Sequence, residues 1–290
     1  MEQFLSQVLS GLATGGIYAS LALALVMINL ATYHINFAQG EMAMLSPYVA
    51  WALITAGFPY WTAFTVTLVV SFAGGMVLDR VVLRPFQHAP ALTILTAFLA
   101  LYLIINSTAG WIFTYTVKEF PSPFPAQAPF GSRLISSHQL GAIALTLVLL
   151  SVVYLFFRFT TLGLAMRAAA YNPVSSRLVG IRVGLLRGMG WGLASVVGAV
   201  AGMMIAPVVF LEPNMMSGVL LYAFAAALVG GIDNPWGAAA GGFLVGVLEN
   251  LVGVYLIGTE LKLAMALVII VAILLFKPSG LLGRTIVNRV

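Results

Sequence analysis

Long runs of apolar residues separated by short polar breaks dominate this chain. A helix needs ~20 apolar residues to cross the hydrocarbon core of a bilayer, and nine runs reach or approach that length. Each run is continuously apolar, whereas strands of a membrane barrel alternate over ~10 residues. We therefore predict an all-α, polytopic transmembrane helical bundle of about 8–10 membrane helices, with short or broken segments. The nine runs are Phe4–Leu30, Ile35–Ala56, Tyr60–Leu78, Ala91–Phe113, His138–Phe157, Gly188–Leu211, Ser217–Ile232, Trp236–Ile257 and Leu261–Phe276.

Composition supports a membrane protein. Of the 290 residues, 61% are hydrophobic and 7% are charged, against roughly 25% charged in soluble proteins. So few charges cannot cover a water-facing surface of this size, which excludes a soluble enzyme, a disordered regulator and a nucleic-acid-binding protein. The chain has no cysteine, so disulfides and thiolate chemistry are also excluded. Its start lacks the basic residues of a cleavable signal peptide, and we expect the first span to be retained.

Small residues recur inside the spans at a spacing that suits helix packing. Five glycine pairs are four residues apart, and such pairs allow two helices in lipid to approach closely. We favour packing within the chain, with a dedicated dimer contact as the alternative. The pairs are Gly11/Gly15, Gly188/Gly192, Gly198/Gly202, Gly237/Gly241 and Gly242/Gly246.

The basic residues predict the orientation of the spans. Lys and Arg accumulate on the cytoplasmic side of membrane proteins, and here ten fall in one set of loops against three in the other. We therefore place the C-terminus in the cytoplasm and the Pro-rich loop at about 114–137 outside. With nine crossings the N-terminus is also outside. The cytoplasmic set is Arg80, Arg84, Arg158, Arg167, Arg177, Arg182, Arg187, Lys277, Arg284 and Arg289; the external set is Lys118, Arg133 and Lys262.

Two groups of polar residues interrupt the spans. Asn36 and Gln39 fit the N-cap and N3 positions of a capping box, which predicts a helix that begins at Asn36 with Glu41 in its second turn. Alternatively, this is only a polar helix start at the membrane interface. Glu249 and Asn250 lie near the middle of a later span, where a carboxylate costs on the order of 2.5–3.5 kcal/mol. Glu249 must therefore face the bundle interior, either in a structural hydrogen bond or along a translocation path.

The cytoplasmic loop at about 158–187 holds five arginines and two apolar stretches. The first is a stripe of Leu162, Leu164, Ala165, Ala168 and Ala169, and the second follows the break at Asn172-Pro173. This pattern predicts two short amphipathic helices joined by a turn. They would lie on anionic lipid or, as we favour, dock onto a cytoplasmic partner protein.

Catalytic motifs are missing from the sequence. None of the three lysines follows a glycine, so there is no Walker A loop and the chain does not hydrolyse ATP by itself. The three histidines lie in separate segments, and neither a metal site nor a catalytic cluster is predicted.

Six ordered segments of the chain carry recognisable motifs. They are GGIYASLALALVMI at Gly15–Ile28, INFAQGEMAMLSPYVA at Ile35–Ala50, LDRVVLRPF at Leu78–Phe86, TTLGLAMRAAAYNPVSSRLVGI at Thr160–Ile181, YAFAAALVGGIDNPWGAAAGGFLVGVLEN at Tyr222–Asn250 and KPSGLLGR at Lys277–Arg284. Together these segments resemble the permease subunits of branched-chain amino-acid ABC transporters. The most specific match is the segment at Ile35–Ala50, which is similar to the family's INFAHGE signature.

This resemblance implies a single permease domain over residues 1–290 in a bacterial inner membrane, importing a branched-chain or other neutral amino acid. It implies two cytoplasmic ATP-binding subunits that hold ATP and Mg²⁺, a second homologous permease and an external solute-binding protein; this chain itself would bind no cofactor. The alternative is a self-sufficient secondary transporter with Glu41 or Glu249 as proton carrier. The expected polar contacts of the substrate path are Asn36, Gln39, Glu41, Glu249 and Asn250. The expected ATPase-coupling residues are Thr161, Leu162, Gly163, Arg167, Ala168, Ala169, Asn172 and Gly180.

Overall fold

The protein is a bundle of α-helices, as its hydrophobic pattern predicts. The computed structural model describes residues 1–32, 34–86, 89–125 and 134–283. Within those ranges there is no strand, and one isolated antiparallel bridge joins Lys118 to Leu211. The helices are α1 Glu2–Thr32, α2 Gln39–Thr55, α3 Tyr60–Leu78, α4 Ala91–Phe113, α5 Ser137–Phe159, α6 Thr161–Tyr171, α7 Pro173–Leu178, α8 Val183–Val209, α9 Met216–Gly230, α10 Pro235–Val252 and α11 Lys262–Phe276.

Each of the nine predicted runs forms one helix, and in the described part of the chain six helices are long and apolar enough to cross a membrane. A π-helical turn at Asp79–Leu83 and a short turn at Arg84–Phe86 continue α3. The shorter helices are α2 with 17 residues and α9 and α11 with 15 each. The prediction of a bundle with short segments is therefore confirmed.

Helix α1 forms the centre of the bundle and packs against α5, α8, α9 and α10. Its contact with α10 is a backbone-to-backbone one: a Cβ atom on Gly246 would overlap the backbone of Gly15, and one on Gly242 would overlap that of Ala19. On another helix pair, Gly202 of α8 packs against the Ala43 carbonyl of α2. Proline at position 47 has no N–H to donate to that carbonyl, which leaves it accessible to α8. The glycine pairs thus serve packing within the chain.

An ion pair joins the π-helical turn that continues α3 to α8, at the end of the bundle where the arginines collect. The Arg187 Nε atom donates to Asp79 Oδ1 at 2.8 Å, and only 4% of the Asp79 side chain is exposed. One turn away, Gly75 packs against the Trp191 backbone. The pair fixes the cytoplasmic ends of the two helices, as the sequence predicts them, against each other.

The segment between α5 and α8 differs from the predicted loop. Arg158 lies in α5 and Arg187 in α8, so the connecting segment is shorter than 158–187. It does contain two short helices, α6 and α7, on either side of Asn172, as predicted. Of the residues on which the orientation rests, Arg133, Arg284 and Arg289 lie outside the described residues.

Candidate functional site

The polar segment before α2 lies inside the protein. Asn36 and Gln39 are fully buried and Glu41 is 1% exposed, so these side chains face other helices and not lipid. The predicted capping box is wrong, because α2 begins at Gln39 and Ala38 is its N-cap. The Asn36 Oδ1 atom accepts from the Ala38 N–H at 2.9 Å. This hydrogen bond closes a short turn from Asn36 to Ala38. It uses the side-chain oxygen that would otherwise cap a helix beginning at Asn36.

The side chains at the start of α2 reach neighbouring helices. Gln39 Nε2 donates to the Ala194 carbonyl of α8 at 3.2 Å, and Asn36 Nδ2 lies 3.5 Å from Gln39 Oε1. Asn106 of α4 donates through Nδ2 to Glu41 Oε2 at 3.1 Å and to the Pro213 carbonyl at 2.9 Å. One asparagine therefore connects the first turn of α2 with the segment that precedes α9.

A second polar cluster surrounds Glu249 of α10. The Tyr18 hydroxyl of α1 donates to Glu249 Oε2 at 2.8 Å, and Lys262 Nζ of α11 lies 3.7 Å from Glu249 Oε1. Lys262 also donates to Asn250 Oδ1 at 3.3 Å, and Asn250 Nδ2 donates to the Thr14 hydroxyl at 3.1 Å. Glu249 thus faces the bundle interior and has partners, as its place in the span requires.

Helix α9 lies between the two clusters. Its Leu220 side chain covers Gly40 beside the first cluster, and its Tyr222 ring stacks on Tyr18 at 4.9 Å beside the second. The first cluster offers amide groups and one carboxylate, and the second offers a cation and a carboxylate 3.7 Å apart. The described residues contain no group of three His, Asp or Glu side chains that could hold a metal ion.

Helices α6 and α7 form the second predicted functional region. Their caps explain the break between them: Thr160 caps α6 by accepting from the Gly163 N–H at 2.9 Å, and Asn172 caps α7 by accepting from the Ser175 N–H at 3.0 Å. The buried face of α6 is Gly163, Met166 and Ala169. The predicted apolar stripe is thus only partly correct.

The stripe differs because Gly163 sits against the Phe156 carbonyl and the Phe157 backbone, which turns the leucines of α6 outward. Leu162 is 46% and Leu164 60% exposed. The other predicted coupling residues Thr161, Arg167, Ala168, Asn172 and Gly180 are exposed as well, whereas Gly163 and Ala169 are buried. The region therefore presents an apolar surface with arginines to its surroundings.

The family model for the permease component of branched-chain amino acid transport systems matches residues 7–274. That range spans the bundle from the second turn of α1 to the last turn of α11.

This chain belongs to that family.

Curated relatives agree with this assignment over the whole length of the permease. The chain is 29% identical to the high-affinity branched-chain amino acid transport system permease protein BraD of Pseudomonas aeruginosa, over 99% of this chain and 98% of that protein. It is 28% identical to the permease protein LivH of Escherichia coli, with the same coverage. Among solved structures, PsaBC from Streptococcus pneumoniae in complex with Fab overlaps at a TM-score of 0.49 and 13% identity, covering 93% of this chain and 91% of that one.

The permease is a multi-pass inner-membrane protein, and its described residues include six membrane-length helices. Several residues of the two polar clusters were not predicted from the sequence. Asn106 and Lys262 are the partners of the two carboxylates, and Tyr18 and Thr14 complete the second cluster. Asn106 could have been found as a lone amide within an apolar run, whereas the role of Lys262 depends on how α10 and α11 meet.

Proposed function

We propose that this permease forms half of the translocation path of an ABC importer for branched-chain or other neutral amino acids. The observation that carries the proposal is the family match over residues 7–274, together with relatives whose names specify branched-chain amino acid transport. Nothing in the comparisons supports a self-sufficient secondary transporter. Lys262 beside Glu249 also argues against a freely titrating proton carrier at that position.

We further propose that Asn36, Gln39, Glu41, Glu249 and Asn250 are the polar contacts of the substrate path. Polar groups inside a membrane protein are costly and are commonly retained for function. An amino acid carries one positive and one negative group, and the Glu249–Lys262 pair at 3.7 Å offers the complement of both. An ion pair this long forms no direct hydrogen bond, so each partner retains capacity for a ligand.

Glu249→Gln tests this path. Glutamine has nearly the same shape and its side-chain oxygen still accepts from Tyr18, so we expect normal insertion and assembly. Loss of the charge next to the substrate ammonium should lower uptake per transporter by about tenfold, the factor that corresponds to one charge-assisted hydrogen bond. The measurement is uptake of labelled leucine by the reconstituted complex, normalised to protein.

Glu260→Gln is the matched control, because Glu260 is an exposed acid near the same end of α11. It should transport normally. If Glu249→Gln reduces only the amount of folded protein and leaves uptake per transporter unchanged, Glu249 is structural and the proposed path is wrong at this residue.

We propose that α6 and α7 dock onto a cytoplasmic ATP-binding subunit. Tyr171 is 86% and Leu178 84% exposed, and exposed apolar groups rimmed by polar residues mark protein interfaces. The importer would contain two such subunits with ATP and Mg²⁺, a second homologous permease and an external solute-binding protein. The C-terminus of this chain would then lie in the cytoplasm.

Arg167→Glu tests the docking surface. Reversal of an exposed charge on α6 should leave insertion intact and reduce co-purification of the ATP-binding subunit several-fold, because charges at an interface rim control association. Arg158→Glu, an equal change at the end of α5 and outside the coupling set, is the control. Unchanged co-purification of Arg167→Glu, measured by quantitative immunoblot, would contradict a role of α6 in coupling.

A further inference from the structure

A cavity of about 650 Å³ opens at the end of the bundle where the arginines collect. Its wall is built by the last turns of α1 and α5, the first turns of α4, α8 and α10, and the inner faces of α6 and α7. The volume falls within the ~300–1,000 Å³ of small-molecule sites. Neither cluster of the proposed substrate path contributes to this wall. The cavity is therefore distinct from the polar clusters around Glu41 and Glu249.

The lining changes character with depth. The deeper wall is apolar, with Leu23, Met27, Ile94 and Phe98 among its residues. Leu23 and Thr32 both line it, nine residues apart in α1, which corresponds to ~14 Å along the helix. Half of the ~30 Å hydrocarbon core is about the same length. The part of the cavity wall that α1 forms is therefore about as long as one leaflet of the bilayer is thick.

Cationic side chains line the part of the cavity wall that α6, α7 and the start of α8 form. Arg167, Arg177 and Arg187 all contribute to the lining, together with one acid, Asp233. Arg187 is bound to Asp79, whereas no salt bridge among the described residues involves Arg167 or Arg177. The wall thus combines an apolar portion with two arginines that form no ion pair with any described residue.

Trp236 is a further lining residue and stands at the start of α10. Tryptophan is enriched at the level of the lipid headgroups, where its ring contacts apolar and polar surroundings together. Its presence in the wall agrees with a cavity whose polar end lies at the headgroup level.

We propose that this cavity binds one anionic phospholipid of the inner leaflet, with its phosphate at Arg167 and Arg177 and an acyl chain along the apolar wall. Basic pockets between membrane helices on the cytoplasmic side suit such headgroups. A free phosphate would use the arginines but leave the apolar wall without a ligand. The proposal does not rest on the transported solute. It shares Arg167 with the proposed docking surface, so its charge test uses Arg177, which lies outside the predicted coupling residues.

Native mass spectrometry of the full-length permease tests the proposal. The delipidated protein is incubated with phosphatidylglycerol or with phosphatidylcholine of the same acyl chains, and retained lipid is counted. We expect one phosphatidylglycerol to be retained and phosphatidylcholine to be lost. Arg177→Gln should lower retention about fivefold, the factor for one basic residue at ~1 kcal/mol. Arg182→Gln is the matched control, an exposed arginine of the same segment that does not line the cavity, and it should change nothing.

A second variant fills part of the cavity and leaves its charged residues unchanged. A Cβ on Gly190 would make only ordinary contacts with Met166 and Ala31, so Gly190→Leu places its larger side chain into the cavity it lines. It should reduce retention of phosphatidylglycerol while Arg167 and Arg177 stay in place. Equal retention of both lipids, equal effects of Arg177→Gln and Arg182→Gln, or full displacement of the lipid by millimolar inorganic phosphate would each overturn the proposal.

Discussion

Single glycines decide how closely the central helices approach. The clearest position is Gly246, because a Cβ there would coincide with the backbone of Gly15 and no side-chain rotation could relieve the overlap. Gly74 of α3 is the opposite case, since a Cβ there would meet nothing within 4 Å. The two positions form a matched pair for measuring what close packing contributes.

We expect Gly246→Ala to destabilise the permease by ~1–3 kcal/mol, because the helices must move apart to admit one methyl group. Gly74→Ala should be neutral or slightly stabilising, since alanine favours the helix and touches nothing. Thermal unfolding in detergent, followed by tryptophan fluorescence, measures both. Equal midpoints for the two variants would show that the α1–α10 contact tolerates a wider spacing.

At the residue scale the sequence predicted which polar groups are unusual but not what they bind. Glu249 was expected to have a partner because an isolated carboxylate in a membrane is costly. That the partners are Tyr18 and Lys262 depends on side chains 231 and 13 residues away meeting in space. No local pattern contains that information.

At the scale of elements, the ends of the membrane helices were nearly all predictable from polar breaks and prolines. The start of α2 was an exception, because Asn36 can cap a helix or close a short turn, and the two conformations use the same side-chain oxygen. The buried face of α6 was another exception, since Gly163 packs on the backbone of α5 and glycine carries no hydrophobic signal. Local sequence does not distinguish these alternatives; packing does.

Asn234 joins two elements through one side chain. Its Oδ1 atom caps α10 by accepting from the Trp236 and Gly237 N–H groups, both at 3.2 Å, and its Nδ2 atom donates to the Leu282 carbonyl at 2.9 Å. The segment that follows α11 is thereby fixed beside the end of α9, where the Leu281 N–H donates to the Val229 carbonyl at 2.7 Å.

We expect Asn234→Ala to cost ~1 kcal/mol through the lost cap and to speed amide hydrogen exchange at both the start of α10 and Leu281. Asn234→Asp keeps the cap acceptor and loses the donor. It should therefore speed exchange at Leu281 only. Exchange measured by mass spectrometry separates the two peptides, and unchanged exchange at Leu281 in both variants would contradict the role of Asn234 in holding this segment.

At the scale of the whole molecule, the arginine bias predicts which end of the bundle faces the cytoplasm. The chain has no cysteine, so single cysteines can be introduced without removing native ones. We expect Gln3→Cys and Glu119→Cys to react with a membrane-impermeant maleimide in intact spheroplasts. Val179→Cys, which is 76% exposed, should react only after permeabilisation. The reverse labelling pattern would show that the predicted topology is inverted. Labelling of Glu119→Cys but not of Gln3→Cys would show that the chain has one crossing fewer than the nine predicted.

The buried polar start of α2 also constrains the order in which the protein is assembled. Glu41 receives its hydrogen bond from Asn106, 65 residues later in the chain, and Gln39 donates to Ala194, 155 residues later. The ribosome therefore releases α2 well before either partner exists. Until α4 and α8 have been synthesised, this helix must keep its polar groups in water or against the insertion machinery, so its final seating in the membrane is a late step of biogenesis although its sequence comes early.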